Sequence, residues 1–240
     1  MGERSQTSAR RKPQTKGTVE AVEGYRTMIE VTYIDHMGSD LSVVNAARVS
    51  FGKTHKFMTR GDVKLIHYLA KHKHMSPFGH AFASFHVKAP IFVARQLVKH
   101  KFLRWNEISR RYVDDLPEIY HPEKWRGRSA DKKQGSEGFI TQMETRSDQT
   151  VDHFYRIQCI NALDVYHDAI ATGVCPEQAR MILPQSTMTE WYWSGSLDAF
   201  MDMCNLRCKE DTQYETRLVA DYIRSEMIKL FPVSVEALVR

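Results

Sequence analysis

The sequence predicts an α+β fold: a small, mainly antiparallel sheet packed with several helices in a single domain. Three observations carry this reading. Helical segments with apolar residues at three- and four-residue steps stand apart from a few short segments rich in β-branched and aromatic residues. No internal repeat is visible. The 240 residues, 42% hydrophobic and 10% aromatic, are enough for one substantial core and have the composition of a globular chain.

Residues 1–24 are polar, basic and almost free of large apolar groups, so they cannot offset their own ordering entropy and are expected to form a flexible basic tail before a domain at 25–240. The domain opens with a strand at "MIEVTYI" (28–34). A helix follows near "DLSVVNAARV", with Ser39 or Asp40 as its cap. In "DVKLIHYLAKH", Val63, Ile66, Leu69 and Ala70 recur at helical spacing and mark one buried face. "SPFGH" (76–80) is a turn, and "AFASFHVKA" (81–89) alternates as a strand does. Pro90 suits the start of a buried helix, "PIFVARQLVKH", which delivers Gln96, Lys99 and His100 at its end.

Residues 114–138 are rich in Pro, Gly and charge and read as a long surface loop, or a lid. From 149 to 172 runs the longest helical pattern, with Val151, Phe154, Ile157, Ile160, Leu163 and Tyr166 inward and Gly173 as the stop. "PEQARMIL" makes a short helix opened by Pro176, and "STMTEWYW" (186–193) is β-like. Ser196 should cap a helix at 197–207, and a last helix at 213–230 ends before Pro232.

No stretch approaches the roughly 20 apolar residues of a membrane span, and the N-terminus is polar, so the expected location is cytoplasmic with no membrane partner. Cys159, Cys175, Cys204 and Cys208 lack zinc-site spacing and are too few for a disulfide framework, so they are read as reduced. His72, His74, His80 and His86 cluster without a helical His-x-x-x-His pair, and no metal is expected. The net charge of +5 permits an anionic partner but does not say which.

The charge is concentrated in "KHKFLRWNEISRRY" (99–112), where Lys99, Lys101, Arg104, Arg110 and Arg111 surround Glu107. A charge run is ordinarily a solvated face. Here Trp105, Ile108 and Tyr112 interleave with the cations, and the run follows an apolar helix that starts it near the interior. Burying that many cations costs several kcal/mol each unless anions accompany them, so an anionic ligand completes the arrangement.

His100, Asn106, Glu107, Ser109, Arg111 and Tyr112 fit the signature Arg-His-Arg-x-x-Ser-x-Asn-Glu-x-Ser-x-Arg-Tyr of the flavin-dependent thymidylate synthases. "DLSVVNAARVSF", "HMSPFGH", "FHVKAPIFVARQ", "ARMILP" and "NLR" resemble that family too, in the same order across residues 28–230. The resemblance implies conversion of dUMP to dTMP with FAD, methylenetetrahydrofolate as one-carbon donor and NADPH as reductant, in a homotetramer with sites between subunits. It assigns Arg207 to the uracil, whose C5 is a poor nucleophile until charge on N3 and the C4 oxygen is stabilised. It assigns Gln96, Lys99, Glu107, Ser109, Arg110, Arg111 and Arg180 to the dUMP sugar and phosphate. It assigns His74, Ser76, Lys99, His100, Lys101, Asn106, Glu107, Ser196 and Asp202 to FAD.

This sequence departs from the family pattern in places. Lys99 and Lys101 replace arginines, keeping charge but losing the fork, and Arg104 stands in place of a serine. "SLD" (196–198) replaces Asn-Ala-Arg, and Asp202 replaces an asparagine. Cys175, ahead of Pro176, is read as structural rather than as the nucleophile of the cysteine-dependent thymidylate synthases. Two other readings stand beside this one: a family paralogue that makes hydroxymethyl-dUMP or is inactive, and a basic nucleic-acid-binding protein using the tail and "KHKFLRW".

Overall fold

The computed structural model describes residues 28–131, 135–143 and 146–239, so the expected tail at 1–24 lies outside the described residues. Strand β1 (Glu30–Met37) leads into α1 (Asp40–Arg48) and α2 (Arg60–Lys71). Strand β2 (Phe82–Pro90) passes directly into α3 (Ile91–Leu97), so Pro90 ends the strand and α3 stops three residues before His100. A turn then reverses the chain into β3 (Leu103–Glu107). The charged run expected only to follow a helix thus contains a strand.

Two small ribbons follow, pairing β4 (Arg126–Arg128) with β5 (Ser136–Phe139) and β6 (Gln142–Met143) with β7 (Arg146–Thr150). Next come α4 (Val151–Ala171), α5 (Pro176–Ala179), β8 (Met188–Ser196), α6 (Leu197–Arg207), α7 (Tyr214–Leu230) and α8 (Pro232–Leu238). The architecture is α+β and single-domain, with eight α-helices among the described residues. None of them is long and apolar enough to cross a membrane.

The main sheet has the order β1-β2-β8-β3, antiparallel throughout. One face carries Val31, Phe85, Val87, Trp191 and Trp193 into the core, where Trp105 stacks on Trp191 at 4.3 Å. The opposite face presents Ser84, His86, Arg104, Asn106, Tyr192 and Ser194, as the two-residue strand period requires. Gly195 lets β3 close up: a Cβ there would lie 2.4 Å from the Leu103 side chain and 3.1 Å from the Phe102 carbonyl.

Several expectations are corrected. The 114–138 segment is not simply surface, since Pro117, Ile119 and Tyr120 are buried and Ile119 bridges to Thr187. On α4, Ile157 and Ile160 face solvent in this chain, while Cys159 and Tyr166 are buried. Ser196 occupies the cap position of α6 but its hydroxyl makes no capping bond. Pro232 opens α8 rather than only ending α7, and the Asp40 carboxylate, a distant residue, accepts from the Val233 and Ser234 amides at 3.0 and 2.9 Å. Those amides begin a helix and have no partner within it, and a carboxylate suits the positive helix end.

Helix α2 starts with a Thr59–Asp62 capping box. The fully buried Asp62 carboxylate also receives Arg48 at 2.6 Å and His55 at 2.8 Å. Burial alone would raise its pKa, but the hydrogen bonds from Thr59, His55 and Arg48 win and hold it well below the usual carboxylate range. Asp62→Ala is expected to cost about 3 kcal/mol in urea unfolding, because it strands Arg48 and the cap. In the wild type, the unfolded carboxyl takes its proton near 3.8. The Asp62 contribution is therefore present above that pH and lost as pH falls below it.

Candidate functional site

Two groups of the residues singled out by sequence lie at opposite ends of β3, separated by four residue steps of about 3.3 Å, or roughly 13 Å. The first gathers where α3 and α6 end. Gln96 lies in the last turn of α3, where carbonyls lack helical partners, and its carbonyl accepts from Arg207 Nη2 at 3.2 Å. Arg207 is the last residue of α6, where a cation faces the negative end of the helix dipole. Its Nε donates to His100 Nε2 at 3.0 Å.

That bond fixes the histidine's state. To accept at Nε2, the imidazole must be neutral with its proton on Nδ1. Burial and then the facing Arg207 charge lower the His100 pKa to about 4. Burial also lowers that of Arg207, yet a guanidinium keeps its charge in proteins. Arg207 and Gln96 line a cleft of about 450 Å³ together with Arg126, Ser136, Lys209 and Gln213. Gln96 is steadied across this cleft by a 2.6 Å bond to Gln213. Arg126, Arg207 and Lys209 face Asp211 and the Glu215 that pairs with Arg126, a small positive excess.

Beside this group, Lys99 and Lys101 are exposed on the turn that ends in Phe102, a left-handed residue with φ 64° whose ring is 84% exposed. His74 and Ser76 sit at the neighbouring corner. There α2 closes with Lys73 left-handed at φ 57° and the His74 amide donating to Leu69, a Schellman finish without glycine. Ser196 is buried, paired with Phe82 just beyond that corner, and Asp202 is exposed on α6.

The second group lies at the far end of β3. Glu107 accepts from Trp105 Nε1 at 2.9 Å and Thr189 Oγ1 at 2.7 Å, on the packed side of the strand, while Asn106 projects from the other face. Ser109 Oγ accepts from the Arg111 amide, and Arg110 turns to Asp115 at 2.7 Å. Arg111 and Arg180 meet at Glu177: Arg111 Nε is 4.0 Å from its carboxylate and Arg180 Nε donates to its carbonyl at 3.2 Å. None of these residues lines the Arg207 cleft among the described residues.

Cys175 is exposed at the cap of the four-residue α5, and all four cysteines are free. Among the described residues no group of three or more His, Cys, Asp or Glu side chains is arranged to hold a metal. Sequence reasoning missed Arg126, Lys209 and Gln213 as cleft residues. The only available signal was the Trp125–Arg126 pair, an aromatic beside a cation inside a segment otherwise typical of loops.

The chain matches the thymidylate synthase complementing protein family over residues 32–233. A flavin-dependent thymidylate synthase of Thermus thermophilus is 40% identical over 199 residues, covering 83% of this chain and 71% of that protein. One from Kosmotoga olearia is 37% identical over 221 residues, 90% of each chain. Among solved structures, the UMP/dUMP methylase PolB of Streptomyces cacaoi bound with 5-Br dUMP superimposes with a TM-score of 0.76 at 30% identity, covering 88% of this chain and 94% of that one.

The neutral state of His100 is directly measurable. Its ring protons are expected to titrate near pH 4 by NMR. Arg207→Leu should raise that value, while burial still keeps it under the ordinary 6.5. Between about 4 and 6.5 the unfolded chain binds a proton that the native chain does not, so stability should fall as pH drops through this window.

Proposed function

Because this chain belongs to the thymidylate synthase complementing protein family, the flavin-dependent thymidylate synthases, we propose that it methylates dUMP reductively to dTMP. The chain is an enzyme of the methyltransferase class. In this reading FAD is the cofactor, methylenetetrahydrofolate the one-carbon donor and NADPH the reductant. Residues 25–240 are the catalytic domain, acting in the cytoplasm. The observation that carries the reading is Arg207, held by His100 and Gln96 in an electropositive cleft.

The chemical task is to make uracil C5 nucleophilic. With Nε and one Nη2 proton engaged, Arg207 keeps Nη1 for the C4 oxygen and N3 of the base, where negative charge develops. Its geometry is fixed before reaction, so no reorganisation is needed as the charge appears. Gln96 orients the nucleotide from the same wall. Phosphate falls to Lys99, Ser109, Arg110, Arg111 and Arg180, with Glu107 accepting from the sugar.

The residues assigned to the flavin suit it: exposed Lys99 and Lys101 offer charge to a pyrophosphate, and His100, neutral with its proton on Nδ1, can donate to a ring acceptor. His74, Ser76, Asn106, Glu107, Ser196 and Asp202 would complete that cradle. When bound, the flavin supplies the hydride that reduces the transferred carbon. Asp202 must turn from the phosphates, since like charges repel.

One chain holds Arg207 and Lys99 at one end of β3 and Ser109, Arg110, Arg111 and Arg180 at the other. We therefore assign the complete site to two copies within a homotetramer. The exposed Ile157, Ile160 and Val165 of α4 supply apolar surface for such assembly.

The test is product analysis. The purified protein should be yellow and form dTMP from dUMP, methylenetetrahydrofolate and NADPH; hydroxymethyl-dUMP as product would assign it to a paralogue activity instead. Arg207→Ala should lower kcat by about 10²-fold or more with flavin retained, whereas Cys175→Ser should keep turning over. A folded, flavin-loaded but dead Cys175→Ser protein would contradict the arginine mechanism. Shared sites are tested by complementation: Arg207→Ala and Arg180→Ala, each inactive alone, should regain activity when co-expressed, and no regain would refute sharing.

A further inference from the structure

A second chamber opens beside the Arg207 cleft. It has a volume of about 320 Å³ and is walled by Phe92, Tyr120, Trp125 and Tyr155. It shares Arg126, Ser136 and Gln213 with the cleft, so the two are adjoining lobes of one depression. Nothing in the reaction derived above uses this lobe. Its rings meet edge to face, Phe92 and Tyr120 at 5.9 Å and Trp125 and Tyr155 at 5.1 Å, which is how aromatic walls are held rigid.

Its polar fittings are few and placed. Trp125 Nε1 is buried without a hydrogen-bond partner among the described residues, behind the ring face that lines the chamber. Arg126 stands at the junction of the lobes. Its Nη2 reaches both oxygens of Glu215 at 2.8 Å, and the Glu215 side chain is only 3% exposed. Breaking that pair would leave a buried carboxylate with only the Tyr120 hydroxyl, at 3.4 Å, so the guanidinium is fixed in place. Among the described residues its Nε and Nη1 donate to nothing, which leaves two donors at the junction. Lys124 lines the same lobe, its ammonium 5.2 Å from the Phe139 ring.

An apolar aromatic chamber with Lys124 and the Glu215-paired Arg126 at its margin suits a flat ring system that carries an acidic group. We propose that this lobe binds the aromatic, acid-bearing co-substrate, its ring against Trp125 and Tyr155 and its anionic group on Arg126 and Lys124. The inference rests on the proposed function, because both co-substrates named there have this chemistry: a p-aminobenzoylglutamate on the one-carbon donor, and a nicotinamide dinucleotide phosphate. Adjacency to Arg207 puts the ligand next to the uracil that it serves. Arg126, held by Glu215, fixes the anionic group and hence the depth of the ring.

Calorimetric titration of the flavin-loaded, dUMP-bound protein tests this, with p-aminobenzoylglutamate and NADP⁺ as separate probes. One of them should bind the wild type, and its identity names the source. Its affinity should fall about fivefold or more in both Trp125→Leu and Lys124→Gln, with flavin absorbance and dUMP affinity unchanged. Lys124 is exposed, so Lys124→Gln keeps the test valid if Trp125→Leu fails to fold. If neither probe binds the wild type, or Lys124→Gln binds both as the wild type does, the proposal is overturned. Loss of dUMP affinity in Lys124→Gln overturns it too, since that would put the lysine in the nucleotide lobe. A wild type holding flavin and dUMP but neither probe defeats the chamber alone. A wild type holding neither flavin nor dUMP defeats the proposed function as well.

Discussion

The antiparallel contact of β8 with β2 on one side and β3 on the other is the constraint from which the site hangs. Nine residue pairs join β8 to β2 and five join it to β3, and the stack of Trp105 on Trp191 locks the outer strand in register. A one-residue slip would send Trp191 and Trp193 to the open face. It would also move Lys99–Lys101 relative to α6, since the turn joining α3 to β3 is held against β8 at Gly195. Arg207 meets His100 from the C-terminal end of α6, eleven residues beyond Ser196, where β8 ends beside Leu103.

Electrostatics then act on a frame that is already rigid. A cluster of Arg126, Arg207 and Lys209 is self-repelling, and a protonated histidine inside it would worsen the repulsion. His100 instead stays neutral and turns a lone pair toward Arg207, converting a neighbour that could repel into one that orients. On the opposite wall Glu215 does the same for Arg126 as a full anion. The two arginines are thus restrained differently: Arg207 by a neutral acceptor and a carbonyl, which leave its charge uncompensated toward the cleft, and Arg126 by a carboxylate that offsets much of its own. The uncompensated one is the better suited to stabilise charge that appears only during reaction.

Much of this was legible in the sequence wherever periodicity and local punctuation agree. The three- and four-residue steps of α2 and the alternation of β2 are of this kind, as is Gly173, which takes φ 93° at the end of α4. Strand β3 was not, because a five-residue strand carrying Arg104, Asn106 and Glu107 has its period-two pattern masked by charge, although Leu103 and Trp105 do turn inward. The burial of Ile119 and Tyr120 depends on pairing with residues 186–188, and the α8 cap on Asp40, 193 positions from Val233. Such contacts leave no local mark. Of the site, the residue types were readable from the motif around His100 and Arg207, but Arg126 was not, because its significance comes from a buried carboxylate 89 positions away.

Helix α4 shows what a single chain leaves open. Its apolar spacing is that of a buried helix, yet Ile157 and Ile160 are 37% and 57% exposed, with Val165 at 53%. Burying such side chains is worth roughly 1.5–3 kcal/mol each, and a sequence that spends apolar residues at helical spacing on solvent gains nothing from them as a monomer. The same logic applies to Arg111 and Arg180, which converge on Glu177 at the far end of β3 from Arg207. Within one chain, Arg207 and the Arg111–Arg180 pair are held apart by the length of β3. An apolar helix face without a cover and two groups of cations held apart by one strand are both features that a second copy packed against this chain would resolve, as the proposed assembly supposes.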